Sequence, residues 1–363
     1  MENLTSKYLI NGPNNVIRLT DGNKVLYIFG DYHIDAQWQQ ECPIDDEYDS
    51  IDIDKLLLKF IKTEKDKEFD LFIEWDNLNP ELNNVYRKRY IDQVIKLFNS
   101  KILFKKNQIV SNKNFSNFRF HYFDIRNSIN ISFELDSYSY SYLELPDNLY
   151  AIDNIVQMNN KLITNLKLLM EYLNSNENHY INKIKNEYTN LKVKKIMNKL
   201  LKSLIFDNIK LAINNTIKIN EYINKNIKIY KNILTKLEIR IRIGSDIYLK
   251  MINNKVFISY IGVVLTDLYF IRRFITKDYI KNGIIYTGAA HMSDITYILT
   301  KYFNFKTTNI FYKHNDFNLK IIPKLKTTNL DYIKDIRFNL HQFDDYLQPI
   351  QCINLFNFPP NFS

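Results

Sequence analysis

Two tetrapeptides share one spacing, Gly30-Asp31-Tyr32-His33 and Gly288-Ala289-Ala290-His291. With 7 Gly and 6 His in 363 residues, chance supplies on the order of 0.1 such Gly-x-x-His matches. Each match directly follows an apolar run, VLYIF before Gly30 and IIYT before Gly288. In open α/β sheets, ligands sit in the crevice beyond the carboxyl ends of the strands, which is where both loops fall. Gly30 and Gly288 allow a sharp exit from the strand or the close approach of a ligand. The sequence after His291, MSDITYILTKYF, reads as a helix, so His291 stands at a helix N-terminus, where the dipole favours the neutral ring. A neutral imidazole accepts a proton or binds a metal.

A third apolar run, Leu71-Phe72-Ile73, ends at Glu74, where a carboxylate is costly to bury without a partner. His33, Glu74 and His291 are therefore the candidate catalytic residues. Two imidazoles and one carboxylate with an open position would hold a catalytic divalent ion such as Mn, Co or Zn, whose bound water is the nucleophile. His121 is a conceivable fourth ligand, although a strand-interior histidine packed in the core fits better. His179, His314 and His341 have no comparable setting. Cys42 could approach the crevice but has no histidine at a spacing that would make it a nucleophile.

The elements that must position these groups follow from hydrophobic pattern. Val25 to Phe29, Leu71 to Ile73, Phe118 to Phe123 and Ile284 to Thr287 read as buried strands. Residues 52–62 and 85–98 carry apolar groups at helical spacing between them. This alternation gives an α/β fold with a mixed, mostly parallel central sheet flanked by helices. From 153 to 238 the chain has no Gly or Pro and repeats Ile, Leu and Met at three- and four-residue steps. We expect a long all-helical insertion there, with turns at 174–178 and at Asn214-Asn215. A helix over 266–277 has Thr266 or Asp267 near its N-cap. Strands are expected at 308–313 and 318–323, and the FNFPPNFS ending reads as irregular. The resulting division is 1–150 for the first half of the core, 151–250 for the insertion and 251–363 for the second half.

Composition narrows the function classes. Between 160 and 250 there are 18 Lys and Arg against 7 Asp and Glu, so the net charge of +9 is concentrated there. The lysines lie in Asn-rich helical sequence without an RNA-recognition or zinc-finger signature, which reads as a solvated surface rather than a nucleic-acid site. No apolar run approaches the roughly 20 residues needed to span a bilayer, and the N-terminus has no signal-peptide pattern. Two cysteines form no disulfide framework, and a reducing compartment such as the cytoplasm is expected. No nucleotide cofactor is indicated.

GDYH, FIE and YTGAAH at strand ends resemble the TraB/PrgY/TIKI superfamily, related to the erythromycin esterase and ChaN-like proteins. The resemblance covers residues 25–33, 70–76 and 284–294. It implies a hydrolase with a small-molecule or peptide substrate, metal-dependent and peptidase-like in TIKI proteins. In the erythromycin esterases, comparable His and Glu residues activate water. It places His33, Glu74 and His291 around the metal or attacking water and implies an arginine nearby. The candidates are Arg126 in FDIRN, which follows a strand-like run with Asp124 two residues earlier, and Arg273 on the helix before the second motif. An arginine there would clamp a carboxylate or stabilise an oxyanion. The LTDLYFIRR and YTGAAH combination, with an AT-rich composition, resembles proteins of large DNA viruses. Two other readings follow from the sequence. Asp31-x-His33 matches the opening of calcineurin-like metallophosphatases, but their later motifs are missing. The fold could also serve a viral binding or host-interaction protein without turnover.

Overall fold

The computed structural model describes residues 7–33, 36–44, 47–75, 89–99, 103–105, 108–110, 117–129, 150–175, 178–230, 261–312 and 351–362. They cluster into two units, one of residues 1–124 with 277–363 and one of 125–276.

The first unit is an α/β sheet structure. Its strands are β1 (Tyr8–Asn11), β2 (Asn15–Thr20), β3 (Val25–Asp31), β4 (Asp49–Asp52), β5 (Phe69–Ile73), β6 (Leu103–Lys105), β7 (Gln108–Val110), β8 (Phe118–Tyr122), β9 (Asn282–Gly288), β10 (Lys306–Tyr312) and β11 (Cys352–Asn354). The main sheet has the order β10-β2-β3-β9-β5-β8. The four runs read as buried strands are its four consecutive members β3, β9, β5 and β8, all mutually parallel. Strands covered on both faces are apolar throughout, which is why β3, β9 and β5 stood out, whereas the edge strand β8 (FRFHY) alternates aromatic and polar residues. On the far side, β2 and β10 are added antiparallel. β9 comes more than 200 residues after β5, yet enters between β3 and β5. Its register sets Gly30 opposite Thr287, Asp31 opposite Gly288 and Ile73 opposite Tyr286, so three strands end level.

Helices α1 (Ile53–Thr63) and α2 (Tyr90–Asn99) match the expected amphipathic segments; residues 85–88 lie outside the described residues. Ile53, Leu56, Leu57, Phe60 and Ile61 of α1 are buried with Phe69, Leu71, Tyr286 and Ile91 in one core. The FNFPPNFS ending has no strand or α-helix, as expected, only turns and a short 3-10 turn, Pro360–Phe362, while β11, which no pattern announced, lies just before it, antiparallel to β1. Phe362 makes edge contacts with Tyr27 at 4.8 Å and Phe60 at 4.4 Å, and burial of these aromatic residues holds the proline-rich segment in place. Cys42 and Cys352 are disulfide-bonded, with Cα atoms 4.9 Å apart, the single bridge that two cysteines allow. The 310 residues between them hid a pairing made by the fold. The expected strand 308–313 is β10, and 318–323 lies outside the described residues.

The second unit contains α3 (Tyr150–Asn174), α4 (His179–Asn186), α5 (Leu191–Leu201), a π-helical turn Lys202–Phe206, α6 (Asp207–Tyr230) and α7 (residues 261–276). The break at 174–178 is present, and Asn178 caps α4 by accepting from the Ile181 N–H. The turn expected at Asn214-Asn215 is absent. Both residues lie inside α6, because Ile209, Ala212, Ile213, Ile219 and Ile223 sustain a buried stripe through them. The second break falls instead before α5, where the Asn190 side chain accepts from the N–H groups of Lys192 and Val193. Buried Asn159 and Asn220 join α3 to α6 through a 2.6 Å side-chain hydrogen bond. Thr266 and Asp267 are fully buried within α7 rather than at its start, since Ile261, Val264 and Leu265 extend the apolar pattern upstream. Among the described residues no helix is long and apolar enough to cross a membrane.

Candidate active site

The level ends of β3, β9 and β5 bring His33, Glu74 and His291 together. Glu74 leaves β5 with its backbone N–H donating to Tyr286 O of β9, which turns its side chain across the strand ends. Its Oε2 accepts from Thr287 Oγ1 at 2.8 Å and from the Gly288 N–H at 2.7 Å. The same oxygen lies 3.0 Å from His33 Nε2, and Oε1 lies 3.0 Å from His291 Nε2. One buried carboxylate thus bridges the imidazoles of the two Gly-x-x-His loops.

Each loop builds its histidine differently. β3 ends at Asp31, whose Oδ1 accepts from the His33 N–H at 2.6 Å and ion-pairs with His33 Nδ1. His33 adopts φ 54°, the left-handed region that costs a side-chain-bearing residue about 1 kcal/mol or more. β9 instead passes directly into helix α8 (Ala289–Tyr302), with Gly288 as its N-cap and His291 in its first turn. The Gly288 backbone is ordinary extended geometry, so it is space that favours glycine there. A Cβ there would sit 3.0 Å from His33 Nε2 and 3.4 Å from Glu74 Oε2. At Gly30 a side chain would run into Asn15 Oδ1 and come within 3.3 Å of Ala289 Cα.

Electrostatics follow from this packing. Burial alone would raise the Glu74 carboxyl, but His291 and His33, by charge and hydrogen bonding, hold it well below the usual carboxylate range. Burial opposes protonation of His33, yet Asp31 and Glu74 together raise its pKa to about 10. At neutral pH His33 is an imidazolium between two carboxylates. It is also the outer ring of the pair, with 25% of its side chain exposed against 3% for His291. Tyr286 of β9 keeps its proton, since burial first and the Asp31 charge second push its hydroxyl well above its ordinary value.

Asp124 closes the first unit, half-buried, while Arg126 and Arg273 belong to the second. Arg273 is half-buried on α7. Its neighbour Arg272 is the buried one, donating to Glu187 at 2.5 Å and stacking over Tyr269. His121 packs as a core histidine, its ring stacked on Phe72 and its Nε2 2.7 Å from Asp70, which also binds Arg119. Asp31 and Thr287 are the polar partners not assigned to this site from sequence. The signal for Asp31 was its place two residues before His33, which was read there as the opening of a metallophosphatase motif. Among the described residues no group of three or more His, Cys, Asp or Glu side chains is arranged to hold a metal ion.

Three proteins of Acanthamoeba polyphaga mimivirus, each carrying the name uncharacterized protein, align with nearly the whole chain. They are 28% identical over 98% of this chain and 97% of the relative, 30% over 98% of both, and 28% over 97% of both. The relatives are viral, in line with the expectation from composition and motif. No solved structure matches the chain. The profile of the family of unknown function DUF5847 matches residues 8–179 and 171–363, and the chain belongs to that family.

Proposed function

We propose that this protein hydrolyses a carboxylic ester, or by the same chemistry an amide, at the His33–Glu74–His291 cluster. The observation that carries this reading is the single buried carboxylate bonded at once by histidines from both Gly-x-x-His loops. The resemblance to the TraB/PrgY/TIKI and erythromycin esterase proteins points the same way. In this reading His291, held by Glu74, takes a proton from water as the water oxygen bonds to the carbonyl carbon. The bond to the leaving alkoxide then breaks as His33 gives up its proton, releasing an acid and an alcohol. Glu74 lies between the two Nε2 atoms and returns the proton from His291 to His33, which closes the cycle.

The resemblance also implies a divalent metal, and the donor set as placed does not fit one. Glu74 Oε2 already accepts from Thr287, Gly288 and His33, Oε1 faces His291, and His33 is a cation spanned by two carboxylates. A metal needs deprotonated nitrogen and open carboxylate lone pairs. No step is drawn through it. Exhaustive dialysis against a chelator is expected to leave turnover unchanged; loss of rate restored by Mn, Co or Zn would reassign the cluster as a metal centre.

The test is turnover of p-nitrophenyl butyrate and of a chromogenic peptide by the purified chain. Glu74→Gln and His291→Ala are expected to lower kcat by about 10² to 10⁴ while the circular dichroism spectrum stays unchanged. Unaltered turnover in Glu74→Gln would sink the reading and leave a viral binding protein as the alternative.

A further inference from the structure

The loop that carries His33 is gripped by a part of the chain that the proposed chemistry does not use. Gln351 directly precedes β11 and is buried. Its backbone is bonded on both sides. The Gln351 N–H donates to Gln40 O at 3.0 Å, and its carbonyl accepts from the Gly12 N–H at 3.2 Å. The side chain reaches further. Hydrogen bonding assigns the orientation of its amide, with Nε2 donating to Gln39 Oε1 and to Gly12 O, and Oε1 accepting from the Tyr32 N–H at 3.1 Å. Tyr32 lies between Asp31 and His33, so this bond holds the backbone where β3 ends and the left-handed turn at His33 begins. The next residue, Cys352, is bonded to Cys42, whose N–H donates to Asn11 Oδ1 at 2.8 Å. The segment from Tyr32 to Cys42 is thus tied at its start by Gln351 and at its end by the disulfide.

We propose that Gln351 is a positioning residue for His33: its Oε1 fixes the Asp31–Tyr32 peptide and with it the backbone that turns the His33 ring between Asp31 and Glu74. A residue in the left-handed region stays there only where its surroundings over-determine it. The bonds between Asp31 and His33 are internal to the loop and would travel with it. Glu74 holds the ring from β5, and Gln351 holds the backbone from β11, so both ends of the side chain are determined from outside the loop. The expected effect on rate rests on the hydrolase reading above, since displacing a reacting group by on the order of 1 Å costs up to about 10²-fold. An amide that served stability alone would leave His33 undisturbed when replaced.

The experiment compares the wild-type chain with Gln351→Met, which keeps the side-chain length and removes the oxygen, and with Asn190→Ala, a helix-cap loss in the second unit that controls for stability. At pH 7 the His33 ring N–H protons, held by Asp31 and Glu74, are expected to give persistent proton resonances in the wild-type chain and in Asn190→Ala. In Gln351→Met they are expected to be lost to exchange with water. On p-nitrophenyl butyrate, kcat is expected to fall about 10- to 100-fold in Gln351→Met with KM little changed. The Tyr32 amide is expected to be protected from hydrogen exchange in the wild-type chain, a measurement that serves if Gln351→Met does not fold. A rapidly exchanging Tyr32 amide, ring resonances missing from the wild-type chain, or ring resonances that persist in Gln351→Met would each overturn the proposal. Ring resonances lost in Gln351→Met, with turnover unchanged or absent from every chain, would keep the positioning role and refute the hydrolase.

Discussion

At the scale of single residues, the site is governed by how few alternatives each atom has. The His33 ring stands between Asp31 and Glu74, and its raised pKa has a pH signature. A group whose folded pKa lies above its unfolded value of about 6.5 stabilises fully below that value, and the contribution is lost as pH rises toward 10. Thermal melts should therefore fall between pH 7 and 10 in the wild-type chain and stay flatter in His33→Gln. Glu74 acts in the opposite sense. Its depressed pKa gives stability that is present above about 4.5 and lost only in stronger acid. If His33 is the acid, kcat should persist through neutral pH and decline near 10. The left-handed backbone at His33 makes a separate claim. His33→Gly should be more stable than His33→Ala by about 1 kcal/mol, because both lose the ring and only glycine tolerates φ 54° freely. Equal melting of the two would mean that the backbone there is unstrained. Gly288→Ala should fold but lose activity, since its methyl displaces His33.

At the scale of elements, legibility tracked burial and length. β3, β5 and β9 announced themselves through the apolar runs VLYIF, LFI and IIY, and β8 (FRFHY) through aromatic residues at every second position. β4 (DSID) and β11 (CIN) are too short or too polar to carry a pattern, and they form only because β1 pairs with both. The Asn-Asn pair inside α6 misled for a physical reason: local turn preference is worth less than the buried face on either side of it. Asparagine does act as punctuation where the apolar stripe ends, at Asn178 and Asn190. Asn190→Ala should cost about 1 kcal/mol in chemical denaturation, and Asn214→Ala should cost none or stabilise. The two motif histidines and Glu74 were legible because strand ends concentrate function. Thr287 was not, since nothing in IIYTG says that its hydroxyl meets a carboxylate leaving the neighbouring strand.

At the scale of the whole molecule, distant parts of the chain meet in the first unit. The disulfide ties the segment after the first motif to the C-terminal strand across 310 residues. Losing such a link costs about 2–5 kcal/mol, so Cys352→Ser should lower the denaturation midpoint under oxidising conditions and erase the difference made by a reductant. Indifference to reductant would mean that the two thiols are not joined. The placement of β9 has a consequence for synthesis. The strand that fills the middle of the sheet is among the last to leave the ribosome, so through most of translation β3 and β5 each present an unpaired apolar edge toward a gap. During that interval the nascent chain is exposed to wrong strand pairing. No fragment ending before residue 282 contains either the second histidine or the wall against which the first is held. Assembly of the histidine cluster therefore arrives in one late event, when β9 enters the gap.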